Sequence, residues 1–465
     1  MLPRTGSKRT LDQMVRHNAH RIGDSLALVD APDRPLWADG PPRRMTWLQV
    51  DAAVSAVASR FVEMGLPNDA IVCVQGLNST DTLIGILGCI RAGMVPAVMP
   101  VTFEADAVVA VAGRLDAKAI LSARKLGQDQ PLRMLWHLSR ESPADIRFVG
   151  AFGPNLPSGI VSFEDCLSFP RSGSITRLAR LDAPEDDLAI ITFDPGPDCT
   201  FAVARSHTEW IVAASLFVDG LGLSRNARLL STMMPVSLAG LASGMVPWLV
   251  SGCRLVLHQP FDAIVLGVQM ARHDITHVVL PDPVLQAALA DRLLDESTLQ
   301  AVAGLTREPH RAVVLPRMAY TPRYFAAIGE IGIVPLGLNP DGRMKLPAFF
   351  PSAMKDSALS DSGPLVEARV GQDGHLGLRG TQIPPAAIDM SVGNVPFPIS
   401  ADGWVMTHYP AVPTDDGLLI TGERFAASSA SRRPSAEPPE TIGGTLAGPR
   451  QRREFAHEEA LAGAA

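Results

Sequence analysis

Apolar residues recur along this chain at two spacings, and a change of spacing marks a change of element. After Thr46 the set Leu48, Val54, Val57, Ala58, Phe61 and Val62 keeps to one face of a 3.6-residue repeat until Gly65, a residue that lets the chain turn out of a helix. Thr10-Leu11-Asp12-Gln13 and Thr46-Trp47-Leu48-Gln49 share the T-x-x-Q form. The threonine oxygen takes an orphaned amide, the glutamine reaches back to the cap, and each phrase should open a helix. Short apolar runs at 71–75 and 95–99 read as strands flanking a largely apolar helix at 81–91. The alternation continues with a helix at 105–115 and strands at 119–121, 147–150 and 189–193, the last entering an irregular loop.

A second round follows, with helices at 208–220, 238–250 and 263–272 and strands at 229–232, 254–257 and 276–280. It closes with segments at 283–294, 312–315, 320–328 and 332–336. From about 346 the pattern shortens to strands at 366–370, 375–378, 404–407 and 418–421. Between them lie Asp373-Gly374, Asp402-Gly403 and Asp416-Gly417, which supply the positive φ of hairpin turns. The order implies an α/β fold: two parallel or mixed-sheet subdomains (1–185 and 186–345), then a small β-rich subdomain (346–425). Residues 426–465 have no apolar periodicity and read as a disordered tail.

The 465 residues suit two or three domains, and Lys+Arg 41 against Asp+Glu 48 gives a net charge of -7, without the basic excess that nucleic-acid binding needs. Cys73, Cys89, Cys166, Cys199 and Cys253 are widely spaced and form no CxxC pair. With no apolar leader after Met1, this reads as a cytoplasmic protein with reduced thiols. The uncharged stretch 229–253 is long enough for a membrane span, but Pro235, Pro247 and its glycines favour a passage through a buried α/β core. His17 with His20, and His273 with His277, lack the further ligands of a metal centre. No metal is expected.

The phrases Arg44-Met45-Thr46-Trp47-Leu48-Gln49, Val72-Cys73-Val74-Gln75-Gly76-Leu77-Asn78 and Ile90-Arg91-Ala92-Gly93-Met94-Val95-Pro96 occur in fixed order. They are followed by a phrase from Leu230 to Gly240, by Ile275-Thr276-His277-Val278-Val279-Leu280-Pro281, and by Asp416-Gly417-Leu418-Leu419-Ile420-Thr421-Gly422. In this register the chain resembles the N-terminal domain of the adenylate-forming superfamily, the acyl- and aryl-CoA synthetases and their relatives. The resemblance implies activation of a small carboxylic acid by ATP and Mg²⁺ to an acyl adenylate, then transfer to a thiol, usually coenzyme A.

It also implies where the machinery should lie. The phosphate loop falls on Ile191 to His207, where Thr192, Gly196, Arg205, Ser206 and His207 match, but the hydroxyl–glycine run and its lysine are missing. Asp194 and Asp198 bring negative charge there, and Pro195 and Pro197 remove amide donors. The acyl pocket would be bordered by His207, Ser237, Gly240 and Gly337, with Ser237 where a histidine is expected and a helix cap its simpler role. Asp341 is the carboxylate nearest the glutamate expected beyond 332–336, and Tyr409 occupies the place of the ribose acid. Arg424 lies one residue beyond the hinge arginine's place, and no lysine follows Lys355. These losses favour an inherited ligase fold with impaired catalysis, so ATP, Mg²⁺ and coenzyme A are cofactors only if the protein is active. The alternatives are an active ligase completed by a protein partner, and a non-catalytic acyl-binding or scaffold subunit of a biosynthetic complex.

Overall fold

The computed structural model describes residues 10–126, 129–167, 187–195, 200–259, 261–294, 298–311, 322–338, 343–347, 349–350, 365–384, 388–389, 400, 402–415 and 417–423. The tail at 426–465, the segment 312–315, Cys199, Gly196, Asp341 and Arg424 lie outside the described residues. Met1–Arg424 forms one compact unit.

Two sheets carry it. The first takes the order Ile388–Asp389, Thr200–Ser206, Leu188–Pro195, Val95–Met99, Ile71–Gln75, Ala119–Ala123, Phe148–Phe152, Val161–Ser162. Its inner strands are parallel and buried on both faces, which is why they read as continuous apolar runs. The strand that begins at Leu188 extends to Pro195, and the residues 196–199 that follow it lie outside the described residues. It pairs with an antiparallel strand, Thr200–Ser206, in a register that reaches Pro195↔Thr200. The Thr-Phe-Ala-Val-Ala-Arg-Ser run gave no clear alternation, and only pairing across the hairpin defines it as a strand.

The second sheet runs from Phe349–Phe350 and Val366–Val370 at one edge to Leu26–Val29 and Arg44–Thr46 at the other. Its parallel centre is Arg323–Ile328, Ala301–Thr306, His277–Pro281, Arg228–Ser231, Arg254–Leu257. A boundary at 185/186 therefore does not follow the sheets. Residues 188–206 complete the first, while Leu26–Val29 pairs with Arg254–Leu257 and covers an edge of the second that would otherwise stand open. The segments at 301–306 and 323–328 are strands of this sheet. Gly374 and Gly403 take positive φ in the β-rich part, and Val405–Thr414 folds back on Gly417–Ile420.

Both T-x-x-Q phrases form capping boxes, at the starts of Leu11–Ile22 and Trp47–Glu63, and Ser206 with Glu209 forms a third at His207–Leu221. Trp47 stacks on Trp248, with ring centroids 4.7 Å apart. The stretch at 229–253 is a strand, a loop, a helix with a π-turn at Leu241–Met245, and the approach to the next strand. Among the described residues no helix is long and apolar enough to cross a membrane, and no three His, Cys, Asp or Glu residues are grouped to hold a metal ion. Cys73, Cys89, Cys166 and Cys253 are buried free thiols.

Three buried histidines sit in the second layer. His258 Nδ1 meets Gln269 Oε1 at 2.6 Å while its Nε2 accepts from the Asp262 amide, which holds the neutral ring. His277 bridges Thr276 and the Leu221 carbonyl. Burial, then the neighbouring Arg44, Arg254 and Arg272, push His273 down from 6.5 to about 4. A base whose folded pKa lies below its unfolded value leaves stability intact above pH 6.5 and loses it as the pH falls towards 4. Urea midpoints measured between those pH values should therefore fall more steeply for the native chain than for His273→Gln; parallel profiles would contradict this.

Candidate functional site

The parallel strands of the second sheet end together at Ser231, Pro281, Thr306 and Ile328, and the residues just past those ends form the candidate site. Past Ile328 comes Glu330, wholly buried. One of its carboxylate oxygens accepts the Leu238 amide at 2.6 Å and the other accepts Arg307 Nη2 at 3.0 Å. Its own amide donates to Asp194 Oδ2 at 3.0 Å. Arg205, also wholly buried, donates to the carbonyls of Glu330 and Ile331 and lies over Trp210 at 5.4 Å. The two strands that flank the expected phosphate loop are thus fastened to the Gly329–Ile331 turn, through Asp194 on one and Arg205 on the other.

Burial raises the pKa of Glu330, with Asp194 adding to it against Arg307 and Arg205. Burial likewise lowers that of Arg205 against Glu330, Glu209 and Asp194. In both groups desolvation outweighs the attraction of the neighbouring opposite charges.

The residues expected from sequence are dispersed. Thr192 is wholly buried on the hairpin face that carries Asp194 and Arg205. Among the described residues its Oγ1 has no hydrogen-bond partner. His207 opens its helix, and its Nδ1 accepts the Leu11 amide at 3.3 Å, which fastens the first helix. Ser237 caps the next helix by accepting the Gly240 amide at 3.3 Å. Gly240 lets the Met234 carbonyl approach, since a Cβ there would fall 1.6 Å from that oxygen. Gly337 corrects the expected pocket: it is exposed and pairs with Lys345 beyond the start of Arg323–Ile328, at the opposite end of that strand from Glu330. Six or seven strand residues put it about 20 Å away. Tyr409 is buried and donates from its hydroxyl to the Arg307 carbonyl at 3.2 Å, which brings it to the site as a support for Arg307.

Glu330, Arg307 and the Asp194 contact escaped the sequence reading. The signal available was positional: an acid immediately after the last parallel strand.

A family model described as AMP-binding enzyme matches residues 15–304. The indoleacetate–CoA ligase of Aromatoleum aromaticum is 25% identical over 288 residues, 59% of this chain and 52% of that protein, so the chain spans about half the length of this curated relative. Apo MbtA of Mycobacterium smegmatis superposes with a TM-score of 0.68 at 17% identity, covering 90% of this chain and 76% of that one. The N-terminal subdomain of Klebsiella oxytoca NpsA, in complex with anthranilyl-AMSN, superposes with a TM-score of 0.59 at 16% identity, covering 90% of this chain and all of that one. The chain belongs to the AMP-binding enzyme family, on the N-terminal-domain architecture of adenylate-forming enzymes.

Proposed function

We propose that this protein is an acyl- or aryl-acid–CoA ligase-like member of its family in which activation of the acid by ATP is impaired. The observation that carries the reading is the state of the two carboxylates at the sheet ends. A magnesium ion bridging phosphates needs carboxylate oxygens that are open to it. Each oxygen of Glu330 already accepts a hydrogen bond, one from the Leu238 amide and one from Arg307, and Oδ2 of Asp194 accepts the Glu330 amide. The third acid near Arg205, Glu209, accepts the Ser206 amide at 2.8 Å.

These residues do not fit Mg²⁺ and a triphosphate. Two guanidinium groups already supply the positive charge that the metal would bring. Losing one phosphate or oxyanion donor typically costs about 2.7–4 kcal/mol of transition-state stabilisation, so the missing lysine and amide donors point the same way.

ATP–pyrophosphate exchange against a panel of aromatic and aliphatic acids should stay at background. MgATP should not raise the melting temperature, whereas a ligand at a hundred times its dissociation constant would add about 2.7 kcal/mol. Acid-dependent exchange that disappears on Glu330→Gln or Thr192→Val would overturn the proposal.

A further inference from the structure

The second sheet gathers positive charge at the amino-terminal ends of its parallel strands, the opposite end from Glu330. Val29, Leu230 and Val256 share one face of that sheet and pack against Leu266 and Met270 of the helix Ala263–Arg272. Side chains two residues apart on a strand share a face. Arg228 and Arg254, which open their strands two residues before Leu230 and Val256, therefore stand on that face, and Arg44 joins them as the register partner of Val29. The ladder sets Arg228 directly opposite Arg254, on strands about 5 Å apart. The helix ends beside them, since Arg44, Arg254 and Arg272 are the cations that act on the buried ring of His273.

Like charges opposite one another on neighbouring strands repel. Burial, then Arg228 and Arg44, lower the pKa of Arg254, with Asp274 acting against them. Elsewhere this chain of net charge -7 pairs its arginines: Arg43, Arg60, Arg91 and Arg124 each meet a carboxylate. Among the described residues Arg44, Arg228, Arg254 and Arg272 make no ion pair with a carboxylate. Arg272 has a local reason for its place, because a cation in the last turn meets the negative end of its helix. Arg228 Nε donates to the Asp274 carbonyl. Arg254 has neither: its Nε is shielded from water and, among the described residues, finds no acceptor. A shielded donor without an acceptor, inside a group of like charges, is an arrangement that an oxyanion stabilises.

We propose that Arg44, Arg228, Arg254 and Arg272 form a binding site for a phosphate-type dianion. Guanidinium forks match phosphate oxygens two at a time, and these cations set against Asp274 leave more positive charge than a monoanion neutralises. Arg44 and Arg272 are exposed and Arg228 and Arg254 half-buried, so the anion approaches from solvent and needs no enclosed cavity. The assignment does not depend on the state of the site around Glu330.

Titration calorimetry on the full chain, in magnesium-free buffer of constant ionic strength, tests it with inorganic phosphate, glycerol phosphate and acetate. Inorganic phosphate should bind saturably with a dissociation constant of about 1 mM, and acetate about tenfold more weakly. Whichever phosphate binds more tightly names the source, the free ion or a phosphomonoester. Arg254→Gln should weaken phosphate about tenfold, and Arg44→Gln, on the exposed edge strand, about threefold. Without phosphate, neither variant should lower the urea midpoint, because one of several repelling charges is gone. Arg307→Gln should bind phosphate as the native chain does. Absence of saturable phosphate binding, acetate equal to phosphate, native affinity in both Arg254→Gln and Arg44→Gln, or a lowered midpoint in both overturns the proposal. So does phosphate binding that survives Arg254→Gln and is lost on Arg307→Gln, which would place the anion at the other site.

Discussion

Arg34→Met is expected to lower the unfolding free energy by about 3–5 kcal/mol, read as a fall in the urea midpoint with an unchanged slope. The guanidinium is fully buried between Asp30 and Asp81. Burial alone would pull its pKa down, and attraction from Asp81 and Asp30 outweighs that and raises it. Methionine matches the stem but removes the guanidinium that both acids share. Asp30 would still accept the Thr80 amide and hydroxyl and the Arg43 amide, and Asp81 would keep Arg43. The residual cost is therefore mainly that of Asp30, wholly buried and left without its cation, and of the unpaired Asp39 carbonyl. Arg34→Met combined with Asp81→Asn should recover part of the loss, because the pair is coupled. A midpoint for Arg34→Met indistinguishable from the native chain would show the network to be dispensable.

The second large effect is steric. Gly240 has φ -71 and ψ -43, values any residue adopts, so alanine meets no backbone strain. Its Cβ would nevertheless fall 1.6 Å from the Met234 carbonyl oxygen and 2.6 Å from its carbon, and neither can rotate away. The loop from Thr232 to Ser237 must lift, taking with it the Ser237 cap and the Leu238 amide that holds Glu330. Gly240→Ala should cost about 3 kcal/mol or more. Gly337→Ala should change stability by less than about 0.5 kcal/mol, because the nearest atom to its Cβ is the Lys345 carbonyl oxygen at 4.0 Å. Equal effects at the two glycines would refute the close approach.

These two glycines mark the limit of what motif position conveys. Both were placed beside an acyl pocket by their phrases, and one lies at the helix start while the other is exposed on a strand far from Glu330. His207 and Ser237 were legible as residues of consequence, but their consequence is structural: one fastens the Leu11 amide and the other caps a helix. Glu330 was illegible because no recognisable phrase surrounds it. Its importance follows from the strand that ends before it and from Arg307, 23 residues earlier.

What the chain's linear order determined is everything with a short period. The 3.6-residue stripe of Trp47–Glu63, both threonine capping boxes, the apolar runs of the parallel strands and the Asp-Gly turns are local free-energy preferences, complete within a few residues. What only the tertiary structure decided is pairing and desolvation. Leu26–Val29 becomes a strand of the second sheet by meeting a partner more than 220 residues away, and Thr200–Ser206 is defined by its pairing with Leu188–Pro195. Asp194, Arg205, Arg307 and Glu330 become one closed set of charges because folding removes water from all of them together, and no property of any one residue type foretells its company once buried.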